Sequence, residues 1–331
     1  MSESRQSTIK EMAELLRVRK SNSHSTVLLL GARAGALFRS DHFFECLRAF
    51  SQRDLSLSPR TTQFSEYYST LTNNDFSERE IHSLFRKSLE NLAATKADAC
   101  LAELVEQGHF HEIISTNIDD ILEQSFSQIE MKEPRDYEVI HPYDKIEQER
   151  NAPFRVVKVF GDFASRDYTV HRHINRSDKE LGHVLSLRHI LEKDILVVGI
   201  DPKWDKHILD TISGTSGTLW FVGEEEDLIK QETISDILRQ RSSKYIVGRE
   251  GHFDYFMRSL HSYLYGGMPL NYKFAQKILN ELADVSNHVA TLSKKIQDGH
   301  SAILDEVKDG HSAILDEVKS MQSKIDKLLQ K

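Results

Sequence analysis

The residues best placed for chemistry are Ser115-Thr116-Asn117-Ile118-Asp119-Asp120, which put two hydroxyls, an amide and two carboxylates in one short turn. The run Glu112-Ile113-Ile114 leads into this turn, and Ile118, Ile121 and Leu122 leave it at helical spacing. That pattern predicts a strand, a polar turn, and a helix whose first turn holds Asp119 and Asp120. Hydroxyl or amide caps and early carboxylates suit a helix N-terminus, whose first amide N–H groups lack partners. An open α/β sheet binds its ligand just beyond such strand ends. A second candidate is Gly31-Ala32-Arg33-Ala34-Gly35, which follows the apolar residues 27–30. Small residues there let backbone N–H groups face an anion at the start of the next helix, or simply make a tight strand-to-helix turn. His171 and His173 would share one strand face as an exposed or cleft-lining pair. A metal site built on them lacks an evident third ligand.

The elements that position these groups follow from the apolar runs. Residues 27–30, 112–115, 137–141, 154–160, 195–199, 219–223 and 244–247 read as strands, most of them separated by helical patterns. Residues 154–160 run into Gly161-Asp162, and residues 195–198 into Gly199. This alternation predicts a Rossmann-like α/β fold, a mainly parallel sheet with helices on both faces. Residues 8–19 predict an amphipathic helix with Met12, Leu15 and Leu16 on one face, inside an N-terminal extension over 1–25. The α/β domain then spans 26–265. Its residues from about 38 to 105 predict a helical insert covering one side of the sheet, with Ser77 and Glu80 as a capping box.

Residues 266–331 change character and predict a helical linker followed by a coiled coil. Residues 298–308 read Asp-Gly-His-Ser-Ala-Ile-Leu-Asp-Glu-Val-Lys, and residues 309–319 repeat them letter for letter. Ile303, Ile314 and Ile325 are eleven apart, as are Ile296, Val307, Val318 and Leu329. Eleven residues over three turns gives a straight or right-handed coiled coil. Gly299 and Gly310 each cost about 1 kcal/mol relative to alanine, so a lone helix is marginal and self-association through residues 292–329 is the natural way to bury the stripe. An amphipathic tail without a partner is the alternative.

Composition sets outer bounds. The chain has 331 residues, 39% hydrophobic and 28% charged, which describes a soluble protein with a sizeable core. No apolar run approaches the roughly 20 residues of a membrane span, and residues 1–5 lack the apolar core of a signal peptide. Two cysteines, Cys46 and Cys100, provide neither a zinc ribbon nor a disulfide framework, so a reducing cytoplasm is expected. The net charge of −8 argues against general nucleic-acid affinity.

Taken together, the strand ends resemble the sirtuin-like superfamily, specifically the SIR2-like domains of prokaryotic NAD-consuming defence proteins. The resemblance spans roughly residues 27–264 and rests on ordered landmarks. Leu29-Leu30-Gly31-Ala32 is similar to the start of the family's Gly-Ala-Gly loop, and Ser115-Thr116-Asn117-Ile118-Asp119-Asp120 to its Thr-Asn-x-Asp signature. Val157-Lys158-Val159-Phe160-Gly161-Asp162 stands where the family has Lys-(Leu or Ile)-His-Gly-Asp. Val198-Gly199-Ile200-Asp201 through Asp205 resembles its late glycine loop.

The resemblance implies NAD or ADP-ribose as ligand, held by Gly31, Ala32, Arg33, Thr116, Asn117, Gly161, Asp162, Gly199 and Asp201. Asn117 would orient the nicotinamide ribose beside Asp119. The family's catalytic histidine is Phe160 here, which can neither accept nor donate a proton. The loop's third glycine is Arg33, and the following serine is Gly35. These departures imply a degenerate site in a pseudoenzyme: an oligomeric scaffold or nucleotide sensor in antiviral defence. The alternative is an NAD glycohydrolase using a non-standard base. A third expectation is an adaptor whose rod docks a separate protein partner of a defence system. Protein deacetylation is disfavoured, because the four-cysteine zinc module of deacetylase sirtuins is absent.

Overall fold

The structure, a computed structural model, describes residues 5–51, 77–90, 92–142, 144, 151–164, 167–168, 187–212, 216–267 and 270–329. His171 and His173 lie outside the described residues. The chain divides into two units, Met1–Leu270 and Asn271–Lys331.

The first unit carries strands β1 (Arg5–Gln6), β2 (Thr26–Leu30), β3 (Phe110–Ser115), β4 (Tyr137–Ile140), β5 (Phe154–Lys158), β6 (Gly161–Asp162), β7 (Asp167–Tyr168), β8 (Ile195–Val198), β9 (Thr218–Gly223) and β10 (Ser242–Val247). Eight of them form one sheet in the order β1-β10-β9-β8-β2-β3-β5-β4, with every neighbouring pair parallel. β6 and β7 make a separate antiparallel pair. The main sheet is thus Rossmann-like, as the alternating pattern predicts. Its β-branched and leucine-rich strands are buried on both faces, as parallel strands covered by helices must be.

The two-residue pleat sorts these side chains into two cores. Val27, Leu29, Ile114, Val157, Val197 and Phe221 enter one. Leu28, Leu30, Ile113, Val156, Leu196, Val198 and Trp220 enter the other. The first core is covered by α2 (Ala36–Arg39), α3 (Asp41–Ser51) and α4 (Glu78–Leu89), together with helices that follow later in the chain. The second receives Ile9, Met12 and Leu16 of α1 (Ile9–Ser21), Leu101, Leu104 and Val105 of α5 (Lys96–Glu106), and Phe126 of α6 (Ile121–Gln128). After α7 (Arg188–Leu191), α8 (Lys206–Ile212) and α9 (Glu232–Gln240), helix α10 (Phe253–Tyr265) adds Phe256, Met257 and Leu260 to that second core.

Three expectations change. The helical segment before β3 does not cover one side of the sheet: α3 and α4 join the first core while α5 joins the second. Most residues of α5, Ala97 to Ala102 together with Leu104 and Val105, are buried, the mark of a core helix rather than of a surface insert. Residues 1–25 are no extension either, because β1 pairs with β10 as the edge strand and α1 packs on α10. Finally, Asp119 and Asp120 stand before α6 rather than in its first turn. α6 begins only at Ile121, and the Asp119 carboxylate accepts Ile121 N–H at 3.4 Å through one oxygen and Leu37 N–H at 3.2 Å through the other. The capping box is present, with Ser77 Oγ accepting from Glu80 N–H and the Glu80 carboxylate from Ser77 N–H.

The second unit is helix α11 (Leu270–Leu329), one run of 60 residues and therefore roughly 90 Å long at about 1.5 Å per residue. Ile296, Ile303, Val307, Ile314 and Val318, the stripe of the eleven-residue register, are each more than half exposed. Among the described residues, no helix is long and apolar enough to cross a membrane. A Cβ built on Gly299 or Gly310 meets nothing within 4 Å. Replacing both with alanine is therefore expected to stabilise the helix by about 1 kcal/mol per site. The check is thermal melting by far-UV circular dichroism, and an unchanged or lower midpoint refutes it.

Candidate functional site

The strand order reverses at β2. From β2 the sheet continues through β3 to β5 and β4 on one side, and through β8 to β9, β10 and β1 on the other. Carboxyl ends of strands at such a switch point form the crevice where α/β sheets bind ligands. Gly31 after β2, Thr116 and Asn117 after β3, and Gly199 and Asp201 after β8 converge there.

Their convergence is a matter of backbone contact. Gly31 N–H donates to Val198 O at 2.9 Å, and Arg33 N–H to Gly199 O at 2.8 Å. A Cβ on Gly31 would stand 2.5 Å from Gly199 O and from Ile200 Cα, both backbone atoms that cannot step aside. Gly199 itself has φ +69°, a left-handed conformation that suits glycine. Beneath these loops the Asp205 carboxylate accepts Ala32 N–H at 3.0 Å and Asp201 N–H at 2.7 Å through one oxygen. Asp205 is fully buried, and burial pushes its carboxyl up to about 7, against hydrogen bonding from Thr116 and from the two amides.

Arg33 does not reach toward a phosphate. Its guanidinium is buried against Asp201 at 2.8 and 3.0 Å, with Glu225 at 2.9 Å and Glu224 at 3.3 Å. Burial opposes its charge, and these carboxylates more than restore it, holding the guanidinium above its ordinary value. Asp201 in turn caps the following turn through Lys203 N–H at 2.9 Å and Trp204 N–H at 3.1 Å.

Asn117 sits across the same crevice. Its amide donates to Gly31 O at 3.2 Å, and its buried Oδ1 accepts no hydrogen bond. Gly35 makes room for it, because a Cβ there would lie 2.1 Å from Asn117 Oδ1. Next to it Lys158, buried at the end of β5, donates to Asp119 O and stands 3.0 Å from Glu123 and 3.8 Å from Asp162. One ammonium faces three carboxylates. Burial alone would lower the Lys158 ammonium, and Glu123, Asp119 and Asp162 reverse that and hold it above its ordinary value. Burial raises the carboxyls of Asp119 and Glu123, with Lys158 opposing it in both.

A third set closes the crevice from the helices. Arg39 pairs with Asp98 at 2.6 Å and Asp254 at 3.0 Å, and its guanidinium stacks 4.4 Å from the Phe253 ring centroid. Asp98 simultaneously completes a capping box with Thr95 at the start of α5.

The cavity enclosed by Asn117, Asp119, Lys158, Arg39 and Asp98 measures about 20 Å³. That admits about one water molecule, whereas ligand pockets run to roughly 300 Å³ or more. Among the described residues, this cavity by itself does not hold a dinucleotide. Phe160 is 2% exposed and packs in the first core with Ile118 and Val159. Gly161 takes φ +85° and starts β6, and Asp162 caps its own turn through Ala164 N–H at 2.6 Å.

The crevice thus gathers the sequence-predicted Gly31, Ala32, Thr116, Asn117, Asp119, Gly199 and Asp201. It turns Arg33 toward carboxylates and leaves Phe160 in the core. Lys158, Arg39, Asp98, Glu123 and Asp205 go unnoticed as site residues from sequence. A lysine ending an apolar strand and an aspartate at the third position of a capping box were the available signals. No group of three or more His, Cys, Asp or Glu is arranged to hold a metal among the described residues.

Asp205 generates a pH prediction. Its folded value lies above the ordinary 3.8, so the stability it contributes is present in full below about pH 4 and is lost as pH rises through about 7. Asp205→Asn is expected to flatten the stability profile between about pH 4 and 7 relative to the parent chain. Asp205→Ala leaves two buried amides unpaired, each costing about 1–3 kcal/mol at every pH. Urea midpoints across that pH range distinguish them, and parallel profiles for parent and Asp205→Asn refute the assignment.

No protein-family model matches the chain, and no curated protein matches it in sequence. Among solved structures, one similar chain comes from work on the structural basis for the mechanism and regulation of Sir2 enzymes. It is 14% identical, and the match covers 77% of this chain and 96% of that one with a TM-score of 0.32. The α/β architecture rests on the parallel sheet itself.

Proposed function

We propose that this chain is a SIR2-like domain whose crevice has become a structural joint, and that it works as a non-hydrolytic scaffold assembled through α11. The observation that carries this reading is Phe160. Cleavage of a nicotinamide–ribose bond requires a site that fixes the sugar and manages its hydroxyl protons. Phe160 stands at the family's histidine position, buried in the core. Two cations of the crevice are committed to carboxylates: Arg33 to Asp201, Glu224 and Glu225, and Lys158 to Glu123, Asp119 and Asp162.

Sensing of NAD or ADP-ribose is the second reading, and Asn117 favours it. Its Oδ1 is buried, unpartnered and aimed into the crevice, an arrangement that costs free energy unless something else accepts the role. A dinucleotide would have to open the Arg39 closure first. Assembly is supported by the exposed apolar stripe of α11, which a second copy would cover. A role in antiviral defence, in the cytoplasm and with a further protein partner, follows from the family resemblance.

Four measurements test this. Overnight incubation with NAD is expected to release no nicotinamide, and release abolished by Asn117→Ala would establish the glycohydrolase instead. Calorimetric titration separates the two readings, since a sensor binds NAD or ADP-ribose and a scaffold binds neither. Phe160→His is expected to restore no cleavage and to cost about 1–3 kcal/mol by burying an unpaired imidazole. For assembly, sedimentation of the full chain is expected to show a higher oligomer than a chain ending at Tyr265. Equal states would remove α11 from the scaffold.

A further inference from the structure

A second concave site lies on the outer face of the helix pair α5 and α10, with a volume of about 490 Å³. It shares no lining residue with the Asn117 crevice. Among the described residues, three cations line it, Lys96, Arg249 and Arg258, and no carboxylate does. In a chain of net charge −8 that is a local reversal of sign. The other arginines near the sheet are committed: Arg19 to Asp194, Arg33 to Asp201, Arg39 to Asp98, and Arg155 to Glu112. Among the described residues, Arg249 and Arg258 have no carboxylate within ion-pair distance.

The remaining lining suits the same ligand. Ser259 and Ser262 present hydroxyls beside Arg258, and these make no side-chain hydrogen bond among the described residues. The Arg249 guanidinium stacks 5.4 Å from the Tyr255 ring centroid and forms a flat cationic wall. Cys100, buried at the floor, is pushed up to about 12 by burial, so its thiol stays neutral and does not compete for the cations. Unpaired guanidinium groups with adjacent hydroxyls recognise phosphate through charge-assisted, bidentate hydrogen bonds. A compact hollow of this volume matches a small molecule rather than a polymer track.

We propose that the groove formed by Lys96, Arg249, Arg258, Ser259 and Ser262 is a binding site for a phosphorylated small molecule of nucleotide size. The phosphates face the cations and serines, and a planar base lies against the Arg249–Tyr255 wall.

The test is calorimetric titration of the full chain with ADP, inorganic pyrophosphate, adenosine and a short DNA duplex. ADP and pyrophosphate are expected to bind at one site per chain and adenosine is not. The double variant Arg249→Ala, Arg258→Ala is expected to weaken ADP by about tenfold or more. Asn117→Ala is expected to leave ADP binding at this groove unchanged, which separates it from nucleotide sensing in the crevice. Pyrophosphate binding as tightly as ADP would keep the phosphate site and remove the base from it. Absence of binding at millimolar ADP and pyrophosphate overturns the proposal. So does ADP binding that survives the double variant, or duplex binding that ADP does not displace.

Discussion

The first unit depends on how closely two strand ends approach. β2 and β8 run side by side and then deliver Gly31 and Gly199 into backbone contact, with Asp205 holding both loops from below. The approach is closer than any Cβ allows at Gly31, which makes the glycine a requirement of packing whatever the ligand. A switch point of a parallel sheet is where such folds bind ligands. Here it is stitched by amides, a buried carboxylate and the Arg33 side chain. A carboxylate accepting two amides is a strong local tie, and removing it from water is expensive. The joint gains geometry and gives up stability at neutral pH.

The same exchange recurs with the other charges. Each cation of the crevice is shared among several acids: Arg33 among three, Lys158 among three, and Arg39 between two. A buried pair seldom exceeds an apolar replacement in stability, but breaking one leaves an uncompensated charge that costs about 3–5 kcal/mol. Such clusters therefore fix an arrangement more than they strengthen it. They also engage the arginine and lysine side chains nearest the strand ends. This is why the crevice is small despite a lining rich in polar side chains.

The sheet was legible because its signal is local. Continuous apolar runs such as residues 27–30 and 195–198 mark buried parallel strands without reference to anything distant. The converging loops were legible for the same reason, as small or polar residues at strand ends. What could not be read is what depends on partners far away in the chain. Arg33 has the composition of a phosphate ligand, and only the placement of Asp201 and Glu225 turns it inward. Asp119 has the position of an early-helix carboxylate, yet it stands just before α6 and shares its carboxylate between Ile121 N–H and Leu37 N–H, the second of them distant in sequence. The two-residue strand β1 carries no periodicity at all and exists because β10 offers an open edge. The division of helices between the two cores was equally hidden, since amphipathicity says that a face is buried and not which sheet face it meets.

The repeat in α11 imposes a constraint of its own on any assembly of this rod. Because residues 298–308 and 309–319 are identical, sliding one helix by eleven residues against another restores the same stripe over the repeat. Within the repeat the two registers have nearly equal energy, and register is specified only where the apolar pattern differs between them. The differences lie outside it. Leu292 and Ile296 precede the first copy, and Met321 follows the second at the position that Gly299 and Gly310 hold in the copies. A slipped pair would set Met321 against a glycine position and leave one end of the stripe uncovered. The flanks, not the duplicated core, would therefore choose the register, and the duplication would serve length: it extends the buried seam by about 16 Å at about 1.5 Å per residue without adding specificity.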